Sequence, residues 1–365
     1  MSITSVSTHA AALLAALALA TASALAQSGD GSKEAALAFI QPYFDAPSAF
    51  PVTEPLKARP TGKRIAMLDC GAPVCGLFAQ LADAPAKILG MEITHIKSGT
   101  TADGVAAAFD TVLAGGFDGV LVPAIAPSLW NRYLDQLNEA KIPVVTTGII
   151  GVDPNKVPVA AAAEPSSSLS AKILANWTVA QDGPATTVVF YNTPELSFSN
   201  LISKTFVESM HTICTACVVR VVDIPIASFG SNSPTIVVDD LLAHPDTTAA
   251  VFAIGEQAIG LSSALSVANI KVHMALNSPD PSVLANIQQG KYDVGLGIDL
   301  TVLTWTLIDS LARLTTGQEP SEGARADLLA RQLVTSANFK DSVEHGWAGY
   351  PDFADRFQAL WAQTK

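Results

Sequence analysis

The sequence predicts an α/β protein made of two lobes, each a parallel sheet covered on both faces by helices. Three features carry this reading. Strand-like and helix-like segments alternate from Arg64 onward. The strand-like segments are continuous apolar runs rather than alternating ones, which suits strands buried on both faces. They number about a dozen, too many for one ordinary doubly wound sheet, so two sheets of similar build are the economical arrangement. A cleft between two such lobes is the default place for a ligand.

The elements follow in order. "RIAMLD" (64–69) is an apolar strand, and Gly76 to Leu89 repeats Leu77, Leu81 and Ile88 at helical spacing. "EITHI" (92–96) is a strand, 102–116 a helix ending in glycines, and "FDGVLV" (117–122) a strand. Residues 127–140 read as a helix with Leu129, Trp130, Tyr133, Leu134 and Leu137 on one face. "IPVVTT" (142–147) and "VPVAAAA" (157–163) are strands. The rhythm then repeats, with helices predicted over 166–180, 199–210, 234–243, 256–268, 281–289 and 301–315. Strands are predicted over 186–191, 218–224, 249–255, 271–276, 292–298 and, last, 330–335.

The ends read differently. "AALLAALALA" (11–20) followed by "ASALA" (22–26) has the length and small residues of a secretory signal peptide, cut after Ala26. Residues 27–61 read as a proline-rich leader with one short helical candidate over 33–44. The formal net charge of −12 and the absence of a basic stripe argue against nucleic acid. No His-x-x-His or HExxH spacing points to a metal, and no nucleophile–base pair points to an enzyme. No cofactor is expected.

The four cysteines fall in two local pairs. Cys70 and Cys75 lie on the loop after the first strand, at the edge of the sheet where ligands bind. Cys214 and Cys217 precede a strand, at the opposite edge of the other lobe. One zinc site cannot gather all four, and a thioredoxin-type CxxC opens a helix after a strand instead. Two structural disulfides, Cys70–Cys75 and Cys214–Cys217, fit an exported chain.

The order of several stretches resembles a known family. "GKRIAMLD", "GFDGVLVPAIAPSLW", "AKIPVVTTG", "LLAHPDTTAAVFAIGEQAIGLSSAL" and "NIQQGKYDVGLG" occur in this sequence in the order found in the type I periplasmic binding proteins. They are similar to the ribose-binding group of sugar-uptake receptors, over roughly residues 62 to 335. The resemblance implies two Rossmann-like lobes joined by three hinge crossovers, near Ala163, near Asp299 and close to the C-terminus. Lobe 1 would comprise 62–163 and 300–335, lobe 2 would be 164–299, and 336–365 would be a C-terminal tail. It further implies a monomer that binds a small molecule in the periplasm and meets an ABC transporter permease of the inner membrane. A sensor for a membrane kinase or chemoreceptor is the alternative. Catalysis is not implied.

The resemblance also nominates a ligand site. Where the family carries aromatic residues after the first strand, this chain has Val74 and Cys75. An Asp-Arg pair after the fourth strand is replaced by Gly148 and Ile149, and an Asn after the third by Pro123. Asn200 stands near an expected Arg, and Asn277 replaces an Asp before "SPD". Glu256 and Asp299 remain as charged candidates, and Asn192, Glu195 and Phe198 share another cleft loop. Asp69, Cys70, Phe78 and Ala124 complete the set. With few fork-like donors, such a cleft suits a guest less polar than a sugar. Polar groups from other loops would restore a sugar site, and both readings stand. Trp130, Trp177 and Trp305 read as packing residues, and His95 and His273 as core or edge residues of strands.

Overall fold

The computed structural model describes residues 32–71, 73–344 and 346–362. The signal-peptide segment lies outside the described residues.

The first sheet holds β1 (Arg64–Asp69), β2 (Glu92–Lys97), β3 (Gly119–Pro123), β4 (Val144–Thr147) and β5 (Val159–Ala161). Its order is β2-β1-β3-β4-β5 and every pair is parallel. The second sheet holds β6 (Thr187–Asn192), β7 (Val218–Asp223), β8 (Ala249–Phe252), β9 (His273–Asn277), β10 (Val294–Ile298) and β11 (Arg331–Val334). Its order is β11-β10-β9-β8-β6-β7, parallel except for the antiparallel pairing of β11 with β10. This is the two-lobed α/β architecture expected from the strand count.

Continuous apolar strands are explained by what lies on each face. Ile65 and Met67 of β1 pack with Val302, Leu307 and Leu311 of α10 (Leu300–Leu314) and Phe78 of α2 (Pro73–Leu89). Their neighbours Ala66 and Leu68 face the other way, against Val105 and Phe109 of α3 (Ala102–Ala114) and Trp130. In the second lobe Val188 and Phe190 pack on α5 (Glu164–Asp182) and α6 (Ser197–Ile213). Val189 and Tyr191 meet Leu241 of α7 (Ser233–Ala243), Leu261 of α8 (Leu261–Ala268) and Leu284 of α9 (Pro281–Gln288).

Several expectations need correction. The helix over 127–140 is interrupted: two 3-10 turns, Pro127–Leu129 and Asn131–Tyr133, precede α4 (Leu134–Glu139). The break turns Trp130 fully inward, where its indole nitrogen donates to the Ile125 carbonyl at 2.9 Å and its ring stacks on Phe109. The helix over 256–268 is a 3-10 turn, Gly255–Ala258, then α8, separated by Gly260 at φ 80°. The last strand, placed with lobe 1 at the sequence level, joins the second sheet.

The leader and tail are structural. Residues 32–40 form α1, whose Ala36 and Ile40 are buried in the second lobe. Val52 and Leu56 are buried in the first lobe. The tail packs Phe339 and Trp347 into the second lobe, then sends α12 (Phe353–Trp361) back to the first. There Trp361 stacks on Trp305 and donates to buried Asp309 at 2.8 Å. Arg313 ties Asp309 to the carbonyl of Glu54 in the leader, at 2.7 and 2.6 Å. Besides the crossings at 162–164, Asp299 and 326–331, the leader and the tail therefore also pass between the lobes. Pattern reasoning missed these because prolines 47, 51, 55 and 60 hide an extended segment that packs by isolated anchors.

Candidate functional site

Loops at the carboxyl ends of the strands of both lobes face one another across a closed cleft. An inner chamber of about 70 Å³ lies there, with an outer one of about 190 Å³ beside it; Val74, Ile254, Ser278, Ile298 and Leu300 border both. The first lobe contributes Val74 and Phe78 from the start of α2, Ala124 after β3, and Thr147 and Gly148 at the end of β4. The second contributes Phe198 and Ile202 from α6, Ile254 after β8, and Asn277 and Ser278 at the end of β9.

Backbone conformation marks the place. Ala124, Ala162 and Ser278 have φ of 51°, 49° and 47°, in the left-handed region that residues with a Cβ rarely adopt. All three border the inner chamber. Strain of this kind collects at ligand sites because the surrounding fold over-determines the loop. Gly148, at φ 66°, takes the same conformation without a Cβ, and an added Cβ would meet the Phe198 ring at 3.6 Å. The glycine that replaces the expected charged residue thus lies against an aromatic ring from the other lobe, and its positive φ is what favours glycine there.

Of the nominated residues, Val74, Phe78, Ala124, Gly148, Phe198 and Asn277 border the inner chamber, and Glu256 the outer one. The others stand behind. Asp69 closes its own turn by accepting from the Gly71 amide. Cys70 and Cys75 are joined, with a Cα–Cα distance of 5.8 Å, and are buried in the first-lobe core. They hold the loop that presents Val74 and do not border the chamber. Pro123 ends β3, and Ile149 is 1% exposed in the same core. Asn192 lies in a lobe-2 network, donating to Asn200 Oδ1 and Asp223 Oδ1 and accepting from Ser199. Asn200 and Glu195 are exposed. Asp299 is a hinge residue: its carboxylate caps α10 at Val302 and accepts from the Gly349 amide, at 2.9 and 2.8 Å. Burial holds its carboxyl above the usual range. Cys214–Cys217 is also formed, at the start of β7 and remote from the cleft.

Sequence reasoning missed the serines of α5. Ser166, Ser167 and Ser170 border the inner chamber just past the first crossing. The run "SSSLS" after a hinge was the available signal. Ser166 and Ser170 are turned toward Arg331, which donates to both hydroxyls and to the Ser166 carbonyl. Beside it Asp327 accepts from the amides of Ala162, Ala163 and Ser166. Burial pushes the Asp327 carboxyl up to about 6 despite these donors.

Some of the chamber's polar atoms lack partners. Thr147 Oγ1 and Asn277 Oδ1 are buried without a partner, while Asn277 Nδ2 donates to the Ala253 carbonyl at 3.0 Å. In the outer chamber Asp280 Oδ2 is likewise without a partner, and burial, then Asp280, push the Glu256 carboxyl up to about 7. Buried polar groups are nearly always paired, which makes these oxygens candidate contacts for a guest. Among the described residues no metal-ligating cluster occurs, and no helix is long and apolar enough to cross a membrane.

Solved structures share this fold. An ABC transporter solute binding protein from Agrobacterium vitis with bound allitol matches with a TM-score of 0.65 at 18% identity, over 76% of this chain and 96% of that one. A 5-methylthioribose transporter solute binding protein from Thermotoga lettingae matches with a TM-score of 0.69 at 15% identity, over 84% and 99%. The XylFII-LytSN complex matches with 0.64 at 13%, over 77% and 100%. No curated protein sequence matches. The periplasmic binding protein domain itself matches residues 76–319, more than half of the 365. Family match and type I two-lobed fold agree: this chain belongs to the periplasmic binding protein domain family.

Proposed function

We propose that the protein is an exported, periplasmic solute-binding protein that closes on a small molecule between its lobes and presents it, as a monomer, to the permease of an ABC importer. The observation that carries this reading is the chamber walled by both lobes, with strained Ala124, Ala162 and Ser278 and the orphaned Asn277 Oδ1 at its surface. A ligand favours closure only if it binds the closed form more tightly than the open one, which requires contacts from both lobes. Val74 and Phe78 oppose Phe198 and Ile202 in that way. Their apolar character supports a guest less polar than a typical sugar, since a sugar needs a partner for each buried hydroxyl. The family is one of binding and transport proteins.

A sensor role would use the same closed form, and the likeness to XylFII in complex with LytSN keeps it as the second reading. Native mass spectrometry of the purified protein, with small-angle scattering before and after ligand removal, tests the proposal. A released small molecule whose return shrinks the radius of gyration supports it. Tight binding without compaction would exclude a closing cleft.

A further inference from the structure

The charged residues among the described lining of the outer chamber are of one sign. They are Glu256, Asp280 and Glu344, and no lysine or arginine among the described residues borders either chamber. Glu256 stands on the 3-10 turn after β8, and no cation or hydrogen-bond donor among the described residues serves its carboxyl. Asp280 uses Oδ1 to cap α9, accepting from Ser282 and Val283, and leaves Oδ2 buried and unpaired. A short way inward, Asn277 is 3% exposed and presents an unpaired Oδ1. The Glu256 carboxyl and the unpaired oxygens of Asp280 and Asn277 thus lack donors in the cleft, where Val74, Leu77 and Leu81 supply apolar surface and Gln80 and Ser278 are the neutral polar groups of the outer chamber.

We propose that the ligand is a monocation with an apolar body, a protonated amine whose nitrogen lies against Glu256 and Asp280 while its hydrocarbon part fills the inner chamber beside Phe78 and Phe198. The inference rests on the cleft being the solute site. An ammonium carries donors and no acceptor, which matches this lining. Its charge compensates carboxylates shielded from water, which a neutral polyol does not do. An anion meets only repulsion there.

Binding should also move a proton. Among the described residues, the other titratable groups bordering the chamber of Glu256 are Asp280 at the start of α9 and Glu344 in the tail, both acidic. Near pH 6 the Glu256 carboxyl, raised to about 7, is largely protonated in the free protein. An incoming ammonium favours the carboxylate, so the proton leaves to the buffer as the complex forms.

Calorimetry on the mature chain with benzylamine, benzyl alcohol and benzoate tests this, together with the cyclohexyl and butyl members of each series. At least one amine should bind about tenfold or more tighter than its alcohol, and its carboxylate should not bind. At pH 6 the heat should depend on the buffer's ionisation enthalpy in the sense of proton release. E256Q should abolish both the amine's advantage and the proton release, and D280N should reduce the advantage. Alcohols binding as tightly as amines, an advantage that survives E256Q, or no amine binding at all would overturn the inference. A neutral compound that binds and compacts the protein would overturn the cation and leave the solute-binding reading intact. A bound amine without compaction would do the reverse.

Discussion

The two sides of the boundary between the lobes are built on opposite principles. At the hinge, Asp327 and Arg331 are buried, yet every partner they need is supplied by Ala162, Ala163, Ser166, Ser170 and Leu329. Leader and tail are tied there too: Gln332 and Asn338 donate to the Phe44 carbonyl, and Tyr350 to that of Ala49. In the cleft, by contrast, Thr147, Asn277 and Asp280 keep buried oxygens with no partner. A satisfied network fixes one arrangement, whereas an unsatisfied one is complete only with a guest. On the proposed reading, the first site holds the lobes and the second receives the ligand.

The comparison can be broken most directly at the hinge. Arg331→Ala removes the cation from beside Asp327 and should lower stability by about 3–5 kcal/mol, the usual cost of leaving a buried charge unpaired. Denaturant unfolding measures it, and a loss below about 1 kcal/mol would mean that the network is not a structural clamp.

Glu256 offers the opposite sign. Burial raises its carboxyl from 4.5 to about 7, so the free protein holds a proton between those values that the unfolded chain has lost. Stability therefore falls as pH rises through that window. Glu256→Gln should remove the penalty, stabilising the ligand-free protein by on the order of 3 kcal/mol at pH 8 and by little at pH 4. Equal melting shifts at both pH values would show that Glu256 is solvated.

Asn277→Ala should weaken ligand binding by about 1–3 kcal/mol, the cost of losing a buried hydrogen-bonding group. Stability should change by less than about 1 kcal/mol, because the lost donor to Ala253 is offset by removal of an orphaned acceptor. Calorimetry and thermal melting on one preparation separate the two effects.

The smallest effects should come from the disulfides. Each closes a short loop, for which chain entropy predicts no more than about 2 kcal/mol. Cys214→Ser/Cys217→Ser should lower the melting temperature and leave affinity unchanged. Cys70→Ser/Cys75→Ser should also weaken binding, because that bridge supports the loop bearing Val74. Equal affinity losses in both double variants would contradict a local role for the first bridge.

Much of the scaffold was legible in the sequence because parallel strands buried on both faces must be apolar throughout, as "RIAMLD" and "TTVVFY" are. Both disulfides could be read from spacing. The site was legible where residues lie at or just past strand ends, as Gly148 and Asn277 do, or at the first turn of the following helix, as Val74 and Phe198 do. Asp299 looked like a cleft residue and is a hinge cap, because an acid after a strand serves either purpose. Asn192 was nominated by position, but Ser199, Asn200 and Asp223 already occupy its side chain. The serine run of α5 was a local signal, but its meeting with Asp327 and Arg331 was not legible because the parts are far apart in sequence.

The way the first lobe is closed bears on the timing of folding. Its core includes Val52 and Leu56 near one end of the chain and Phe357 and Trp361 near the other, with α10 between them. The second lobe draws most of its core from the contiguous stretch between Ala171 and Leu296. A chain emerging from its N-terminus can therefore assemble most of the second lobe while the first still lacks its last helix. Contacts so distant in sequence form slowly and only once both partners exist. A nascent chain without Trp361 would keep the first lobe open and threadable. Arrival of α12, rather than any earlier segment, would then be the event that completes the first lobe.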